Sequence, residues 1–220
     1  MGGCGASVYN KLMTTIWPGR VQTRWMLLLA ILASLLLVGS CPCAPPIVTG
    51  ASLANFHVLD AGRAYRSAQP DPIGLENVIS QLGIKTVLNL RGPNPGEPWY
   101  DAEAQVCEAM NVTLADHPMS ASHLPSGELL SAIVHTLQRA EYPLLIHCAG
   151  GADRSGAIAA IYRMLILGHD KSDALSELSP MYLHFRESKP CMDTLAERYE
   201  PTPEWLAEYA ATVAEMTCTP

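Results

Sequence analysis

The chain has 220 residues, of which 49% are hydrophobic, so it can bury the core of one ordinary domain and carry an extension. Its formal charge is −7, and the residues after position 40 hold 11 bases and 21 acids, a charge of −10. This acidic balance argues against general binding to nucleic acid or to anionic lipid surfaces, because both require clustered lysines and arginines.

The first element, residues 1–40, has the composition of an export signal or membrane anchor. An apolar stretch from Trp25 to Val38 follows two arginines. It is short for a bilayer span of roughly 17–25 residues and suits the hydrophobic region of a signal peptide better. The four residues from Val38 to Cys41 resemble a bacterial lipobox, so Cys41 is a candidate for lipidation, with an uncleaved anchor as the alternative. We therefore expect an exported protein attached to a membrane through its N-terminus, in the periplasm or cell envelope if bacterial.

Residues 41–54 are rich in proline, glycine and small side chains, which predicts a tether. The folded domain is then expected to cover residues 55–220, with helices at its C-terminal end. It would open with two short strands within Asn55–Pro70, joined by a turn at Asp60-Ala61-Gly62.

Strands and helices alternate through the rest of the domain. The predicted elements are a helix over Pro72–Leu82 capped by Asp71 and stopped by Gly83, a strand over Lys85–Leu90, a helix over 97–110, a strand over 111–118, a helix over Ser126–Ala140, a strand over Tyr142–Cys148, a helix over Ser155–Leu167 and a tail helix over Thr202–Met216. This order predicts an α/β domain with a central, largely parallel sheet flanked by helices. In such a sheet, chemistry lies in the loops that follow the carboxyl ends of the strands.

One of these loops, which follows the strand ending at Cys148, combines a thiol with a site for an anion. Gly150 and Gly151 let the backbone curl so that successive N–H groups point into one concavity at a helix N-terminus. The same positive field stabilises a thiolate. Arg154 adds a planar fork that can hold two phosphoryl oxygens at once. The loop therefore predicts a nucleophile beneath a bound phosphate dianion.

Residues His147-Cys148-x-x-Gly151-x-x-Arg154-Ser155 match the signature of the cysteine-dependent protein tyrosine and dual-specificity phosphatases. The stretches Tyr65–Pro70 and Leu82–Gly92 look like the atypical dual-specificity phosphatases of bacteria, fungi and plants. The resemblance covers about Asn55 to Leu167 and implies the phosphatase-type α/β sandwich. A P-loop NTPase is excluded because Gly-Lys-Ser/Thr is missing, whereas the cysteine loop of a rhodanese need not supply this Gly, Arg and Ser.

The resemblance implies a role for each matching residue. Cys148 would attack phosphorus and form a cysteinyl-phosphate intermediate, and Arg154 with the loop amides would bind the phosphoryl oxygens. Ser155 would donate a hydrogen bond to the thiolate as water displaces it, and His147 would orient the loop from outside the pocket. The residues expected to contact substrate are Cys148, Ala149, Gly150, Gly151, Ala152, Asp153 and Arg154.

The general acid departs from the common pattern. Most of the superfamily supplies an aspartate from the loop after the preceding strand, but residues His117–Leu130 contain none. Some bacterial phosphatases and the myotubularins carry aspartate directly before the signature arginine, which favours Asp153. The alternatives are Asp116, which ends the strand, and the lack of a dedicated side-chain acid. Asp153 could instead cap a helix that begins at Arg154.

Two arginines and two cysteines outside the loop have two interpretations each. Arg66 and Arg91 follow apolar strands, and they either support the phosphate loop or contact substrate, or are structural. Cys191 and Cys218 could pair in an oxidising compartment or be unpaired thiols. The histidines without a partner at catalytic spacing, predicted to be packing or surface residues, are His57, His135 and His184.

These patterns predict a phosphomonoesterase that needs no metal or cofactor, since no C-x-x-C pair or zinc spacing is present. Ala149 and Ala152 stand where polyphosphoinositide phosphatases often carry lysines. Phosphotyrosine is therefore favoured over phosphoinositides as the phosphorylated substrate, with small phosphorylated metabolites as a further alternative. A non-catalytic phosphate-binding module and a sulfur-transfer enzyme with a persulfide on Cys148 are the competing classes.

Overall fold

A computed structural model describes residues 53–218, in which five strands form one sheet. The strands are β1 (His57–Asp60), β2 (Ala64–Ser67), β3 (Thr86–Asn89), β4 (Thr113–Asp116) and β5 (Leu144–His147). Their order across the sheet is β1-β2-β5-β3-β4. Strand β1 runs antiparallel to β2, and the remaining pairs are parallel. Strand β5 is therefore central, and its carboxyl end carries Cys148.

Helices alternate with the parallel strands as predicted. They are α1 (Pro72–Leu82), α2 (Pro98–Ala109), α3 (Gly127–Arg139), α4 (Asp153–Leu165), α5 (Lys171–Ala174), α6 (Pro190–Arg198) and α7 (Pro203–Thr212), with 3₁₀ turns at Leu175–Glu177, Pro180–Tyr182 and Val213–Glu215. The predicted cap of α1 is confirmed, because the Asp71 carboxylate accepts a hydrogen bond from the Gly74 amide at 2.8 Å. Gly83 ends that helix with a left-handed φ of 67°.

The sheet is buried on both faces, which arranges residues 53–218 in three layers. Leu144 and Ile146 of β5 belong to the core formed with α3, α4, α6 and α7. Leu145, which points to the opposite face, belongs to the core formed with α1 and α2. Continuous apolar strands of this kind are typical of parallel sheets covered by helices on both faces. The predicted fold class, an α/β domain with a central, largely parallel sheet flanked by helices, is confirmed.

Two helices differ from their predicted bounds by two residues or more. Helix α4 begins at Asp153 rather than Ser155 and ends two residues earlier than predicted, at Leu165. The amide of Gly156 donates to the carbonyl of Ala152 at 3.0 Å, so helical hydrogen bonding already starts there. The tail helix is also shorter than predicted, since α7 stops at Thr212 and a 3₁₀ turn follows.

The C-terminal segment is tied to the domain by a disulfide. Cys191, at the start of α6, is bonded to Cys218 across a sequence separation of 27. The other cysteines in the described part of the chain, Cys107 and Cys148, are free and buried.

The predicted export segment, tether and lipidation candidate Cys41 fall within residues 1–52, outside the described residues, apart from the last two positions of the tether. Between residues 53 and 218, no helix combines the length and apolar character that crossing a membrane requires.

Candidate active site

The loop between β5 and α4, residues 148–152, contains the predicted nucleophile and is called the phosphate loop. Cys148 follows the last residue of β5, and its side chain is 2% exposed. Its Sγ lies 3.5 Å from the Oγ of Ser155, which is fully buried in the first turn of α4. The hydroxyl is therefore close enough to donate a hydrogen bond to a thiolate at this position.

The backbone of this loop is held by donors on one side. The carbonyl of Ala149 accepts from the amide of Gln69 at 3.2 Å, and that of Gly150 accepts from the Asn55 side chain at 3.1 Å. The Nη2 of Arg66 donates to the next two carbonyls, at positions 151 and 152, at 2.8 and 3.0 Å. Each N–H points opposite to the C=O of its own trans peptide. Four consecutive amides, those of residues 150–153, consequently face away from these donors, as in a backbone nest for an anion.

Arg66 is a fully buried support of the loop. Its Nη1 donates to the carbonyl and to the Oε2 of Glu177, at 2.9 and 2.7 Å. Burial lowers the pKa of Arg66, while the Glu177 carboxylate works in the opposite direction. Glu177 also accepts from the Nε of Arg163 at 2.6 Å, so one buried carboxylate stabilises two arginines. The structure therefore favours the interpretation of Arg66 as a support of the loop, because its guanidinium contacts the loop backbone.

Arg154 lies at the start of α4 with one edge of its guanidinium already fixed. Its Nη1 donates to the carbonyls of Leu90 and Met119, both at 3.2 Å. Its Nε is buried and finds no acceptor among residues 53–218. The remaining edge can therefore hold two oxygens of a phosphoryl group. Arg91 is a neighbouring cation: burial lowers its pKa, and the charge of Arg154 lowers it further.

A chain of polar contacts runs from His147 to Arg91. The Nε2 of His147 lies 2.7 Å from the Oε1 of Glu103, a close contact between two buried side chains without the alignment of a hydrogen bond. The other oxygen of Glu103 accepts from Gln69 at 3.0 Å, and Gln69 accepts from Arg91 at 2.9 Å. Arg91 stacks on the ring of Trp99, 3.3 Å from its centroid. His147 thus lies behind the loop, and Arg91 is held by Gln69 and Trp99.

Asp153 does not cap α4, because it is the first helical residue and no side chain caps that helix. Its Oδ1 lies 2.8 Å from the Nδ1 of His184, and the Nε2 of His184 lies 2.8 Å from the Oδ2 of Asp193. His184 is thus buried between two carboxylates, a pairing that the sequence did not predict. Its partners are 31 positions before it and nine after it. No local spacing in the sequence signals this arrangement.

The alternative acid Asp116 is the last residue of β4, and both of its oxygens are in use. Its Oδ1 accepts from Asn89 at 2.8 Å, and its Oδ2 accepts from the Tyr100 hydroxyl at 2.7 Å. The hydrogen bond to this carboxylate is the main reason that the pKa of Tyr100 is raised to about 12. These contacts make Asp116 a brace between β3, β4 and α2.

The other two histidines differ in their surroundings. His57 lies 2.8 Å from the Oδ1 of Asn55, the residue that holds the Gly150 carbonyl, and packs edge-on against Tyr182. Burial lowers the pKa of His57, and the nearby charge of Arg66 adds to the effect. His57 therefore supports the loop indirectly. His135 is exposed on α3.

Comparison with known proteins identifies the family. A family model described as "PTP-SAK: Swiss Army Knife protein, DSP-PTPase phosphatase domain" matches residues 64–197, which extends beyond Leu167, where the sequence motifs end. The dual specificity protein phosphatase TpbA of Pseudomonas aeruginosa (strain UCBPP-PA14) is 34% identical over 116 residues, 52% of this chain and 49% of the relative. The inositol diphosphatase DSP1 of Oryza sativa subsp. japonica is 31% identical over 116 residues, 50% of each chain.

Among solved structures, the core catalytic domain of the PP-IP phosphatase SIW14 from S. cerevisiae has a TM-score of 0.59 at 20% identity. The match covers 77% of this chain and 99% of that domain. This likeness shows the fold. The chain spans about half the length of the curated relatives it matches.

Proposed function

Since the chain belongs to the DSP-PTPase phosphatase-domain family of Swiss Army Knife proteins, we propose that it is a cysteine-dependent phosphomonoesterase of the protein tyrosine and dual-specificity type. The observation that carries the proposal is the loop itself. Its four carbonyls at positions 149–152 are held on one side. The opposed amides, the Arg154 guanidinium and the Cys148 thiol then form one site for a phosphoryl group and its nucleophile.

In the first step the Cys148 thiolate attacks phosphorus, and the bond from phosphorus to the leaving oxygen breaks. Asp153 gives its proton to that oxygen, so the alcohol or phenol leaves neutral and the carboxylate becomes ionised. Arg154 and the loop amides balance the charge on the three equatorial oxygens. The product is a cysteinyl phosphate.

In the second step water attacks the phosphorus of this intermediate and gives a proton to the Asp153 carboxylate. The bond between phosphorus and sulfur breaks, which releases inorganic phosphate and the Cys148 thiolate. The Ser155 hydroxyl, 3.5 Å from the sulfur, donates to the departing thiolate. The enzyme returns to its starting protonation state, and no other reactant is consumed.

Phosphotyrosine is the substrate class that the surroundings of the loop support best. Asn55 donates to both Gly150 and the carbonyl of Tyr182, so the 3₁₀ turn at Pro180–Tyr182 borders the phosphate loop. Large apolar side chains in this segment, each more than half exposed, are Met181, Leu183 and Phe185. Such side chains suit an aromatic ring better than a polyphosphorylated ring, whose charges call for lysines and arginines.

The activity is tested by hydrolysis of para-nitrophenyl phosphate in the presence of a metal chelator. Cys148→Ser is expected to abolish turnover, whereas Cys107→Ala is expected to retain it. Burial raises the pKa of the Cys107 thiol to about 12, so this residue is a matched cysteine without nucleophilic character. Turnover by Cys148→Ser would contradict the proposal. If the wild-type protein bound phosphate without turnover, a non-catalytic binding module would be favoured. If it formed thiocyanate from thiosulfate and cyanide, a sulfur transferase would be favoured.

The role of Asp153 is tested by the pH–rate profile of Asp153→Asn with phenyl phosphate, whose leaving group requires a proton. We expect kcat/KM to fall roughly 10²–10⁴-fold and the basic limb to disappear. A basic limb like that of the wild-type protein would contradict the assignment.

The substrate class is tested by comparing phosphotyrosyl peptides, phosphoseryl peptides, inositol polyphosphates and inositol diphosphates. The highest kcat/KM is expected for phosphotyrosyl peptides. The relatives include both a dual specificity protein phosphatase and an inositol diphosphatase. A preference for the inositol compounds would favour the second activity on the same catalytic residues.

Export and membrane attachment through residues 1–40 are also part of the proposal, supported by the apolar run behind Arg20 and Arg24. We propose that the tether follows from residue 41 and the phosphatase domain from residue 55. Mass spectrometry of the mature N-terminus from a membrane fraction is expected to find lipidated Cys41. An intact, unmodified N-terminus in the soluble fraction would contradict this proposal.

A further inference from the structure

His184 is a buried imidazole with a carboxylate at each nitrogen. Its side chain is 1% exposed, Asp193 is 9% exposed, and Asp153 is 28% exposed. Both nitrogen–oxygen distances are 2.8 Å. The three residues therefore form a line from the interior at α6 to the first turn of α4, next to Arg154.

The segment that carries His184 is held in an unusual backbone conformation. Leu183 has a φ of 64°, a left-handed conformation that costs roughly 1–2 kcal/mol for a residue with a branched side chain. The Leu183 side chain is exposed, so its own packing does not offset that cost. The carbonyl of Ser179 accepts a hydrogen bond from the His184 amide. Leu183 ends the 3₁₀ turn Pro180–Tyr182. The residue after it, His184, is fixed by its contacts with Asp153 and Asp193. Strained residues persist where the surrounding structure over-determines them.

The surrounding charges favour the protonated ring. When both carboxylates are ionised, a neutral imidazole has one N–H and satisfies one of them, whereas an imidazolium satisfies both. Burial acts against the charge, but the hydrogen bonds to Asp153 and Asp193 outweigh it and raise the pKa of His184 above its usual range. A further charge at this cluster, besides the adjacent Arg154, is Arg186, whose Nη1 lies 3.9 Å from the Oδ1 of Asp193 and also pairs with Glu197.

We propose that His184 is a positioning residue for the reaction, which holds the Oδ1 of Asp153 and leaves the Oδ2 of that carboxyl to exchange the proton with the leaving group and with water. The inference rests on the proposed function. Asp193 orients the ring from its other side, as carboxylates orient imidazoles in other catalytic sites. When Asp153 gives up its proton, the N–H of His184 stabilises the new carboxylate. His184 keeps its own proton throughout, so the proton balance of the two steps is unchanged.

The test compares two amide variants with two substrates. The amide nitrogen of His184→Asn replaces Nδ1 and keeps the contact with Asp153, whereas that of His184→Gln replaces Nε2 and keeps the contact with Asp193. For phenyl phosphate, we expect kcat/KM to fall about 10- to 100-fold in His184→Gln and less in His184→Asn, as part of a general-acid effect of roughly 10²–10⁴-fold. For 2,4-dinitrophenyl phosphate, whose leaving group needs no proton, both variants are expected to remain within about threefold of wild type.

The pH profile supplies a readout that a purely structural role would not change. Loss of the positive ring favours the protonated form of the neighbouring carboxyl, so the basic limb for phenyl phosphate is expected to move to higher pH in both variants. Asp193→Asn is expected to move it in the same direction by a smaller amount. Exposed His135 is the matched control, and His135→Asn is expected to leave kcat/KM unchanged for both substrates.

A stability measurement keeps the proposal testable if a variant is poorly folded at one pH. Because the pKa of His184 is raised in the folded protein, its stabilising contribution is complete below about pH 6.5 and is lost as the pH rises through the raised value. The difference in melting temperature between wild type and His184→Asn should therefore be largest near pH 6 and shrink toward pH 9. A constant difference would contradict a charged His184.

The inference and the proposed function fail in different ways. Equal losses on both substrates, or unchanged kinetics in the His184 variants of an active enzyme, would overturn the inference alone. Turnover that survives in Cys148→Ser would overturn the function.

Discussion

The Ser155 hydroxyl lies 3.5 Å from the Cys148 sulfur, and both side chains are buried. A hydrogen bond to a charged group contributes roughly 1.5–3 kcal/mol, which is about 10- to 150-fold in rate. This bond stabilises the thiolate as a leaving group, so its loss slows the second step more than the first. Ser155→Ala is therefore expected to release a burst of para-nitrophenol from para-nitrophenyl phosphate and then turn over slowly, with kcat lowered at least about tenfold.

Rapid mixing with para-nitrophenyl phosphate measures the burst. Ser155→Thr is the matched control, because it keeps the hydroxyl, and it is expected to remove the burst and restore most of kcat. A Ser155→Ala variant with a lower burst rate and an unchanged steady state would contradict this role for the hydroxyl.

Also at the residue scale, the sequence predicted the convergence of site residues that are close along the chain but not of those that are distant. Cys148, Arg154 and Ser155 lie within eight positions, so their order along one turn of backbone already determines that they converge. Glu177 and His184 come from a segment far along the chain, and packing of that segment against α4 brings them to the site. Residue types and their spacing do not predict such packing.

At the scale of the loop, the two glycines between Cys148 and α4 have different requirements. Gly151 has a φ of 69°, and a Cβ there would lie 2.4 Å from the amide nitrogen of Ala68. A Cβ on Gly150 would have no heavy atom within 4 Å. Gly151→Ala is expected to lower the free energy of unfolding by at least about 1–2 kcal/mol from backbone strain alone, and to reduce kcat/KM because β2 and the loop must separate.

Gly150→Ala is the matched control and is expected to change the free energy of unfolding by no more than about 0.5 kcal/mol. Urea denaturation of the two variants measures the comparison. Equal stability of both variants would show that the close approach of the loop to β2 is not required.

The elements up to α4 followed mostly from short-range signals, whereas the sequence did not place α5, α6 or the 3₁₀ turns. Asp71 and Ser126 accept hydrogen bonds from the first turns of α1 and α3, and such capping side chains are readable in a sequence. Helix α4 has Ala152 at its N-cap position and no capping side chain. Its start is determined by the phosphate loop, whose carbonyls are held by Arg66 and Asn55. The sequence therefore placed this boundary two residues late.

At the scale of the whole molecule, the segment that follows α4 contributes to the site that the loop between β5 and α4 begins. It supplies Glu177 to Arg66 and the His184–Asp193 pair to Asp153. Motifs indicate the family only as far as Leu167, whereas the family match continues to residue 197. The segment from the end of α4 to residue 197 is thus part of the family domain rather than an appendage to it.

The disulfide between Cys191 and Cys218 joins α6, which carries Asp193, to the end of the described chain. Closing a loop across a separation of 27 restricts the unfolded chain, an effect worth roughly 3–4 kcal/mol in the chain-entropy model. The double variant Cys191→Ala/Cys218→Ala is therefore expected to unfold at lower urea concentration by about that free energy. Its turnover of 2,4-dinitrophenyl phosphate at 25 °C should stay close to wild type, since neither cysteine contacts the phosphate loop.

Treatment with a reductant distinguishes the effect of losing the disulfide from any other effect of the two alanine substitutions. Dithiothreitol should lower the unfolding midpoint of the wild-type protein to that of the double variant and leave the variant unchanged. Cys107→Ala, which removes a free thiol, should keep the full response to the reductant. An equal midpoint with and without reductant in the wild-type protein would mean that the bond contributes no stability, and that packing of α6 against α4 alone holds Asp193 in place.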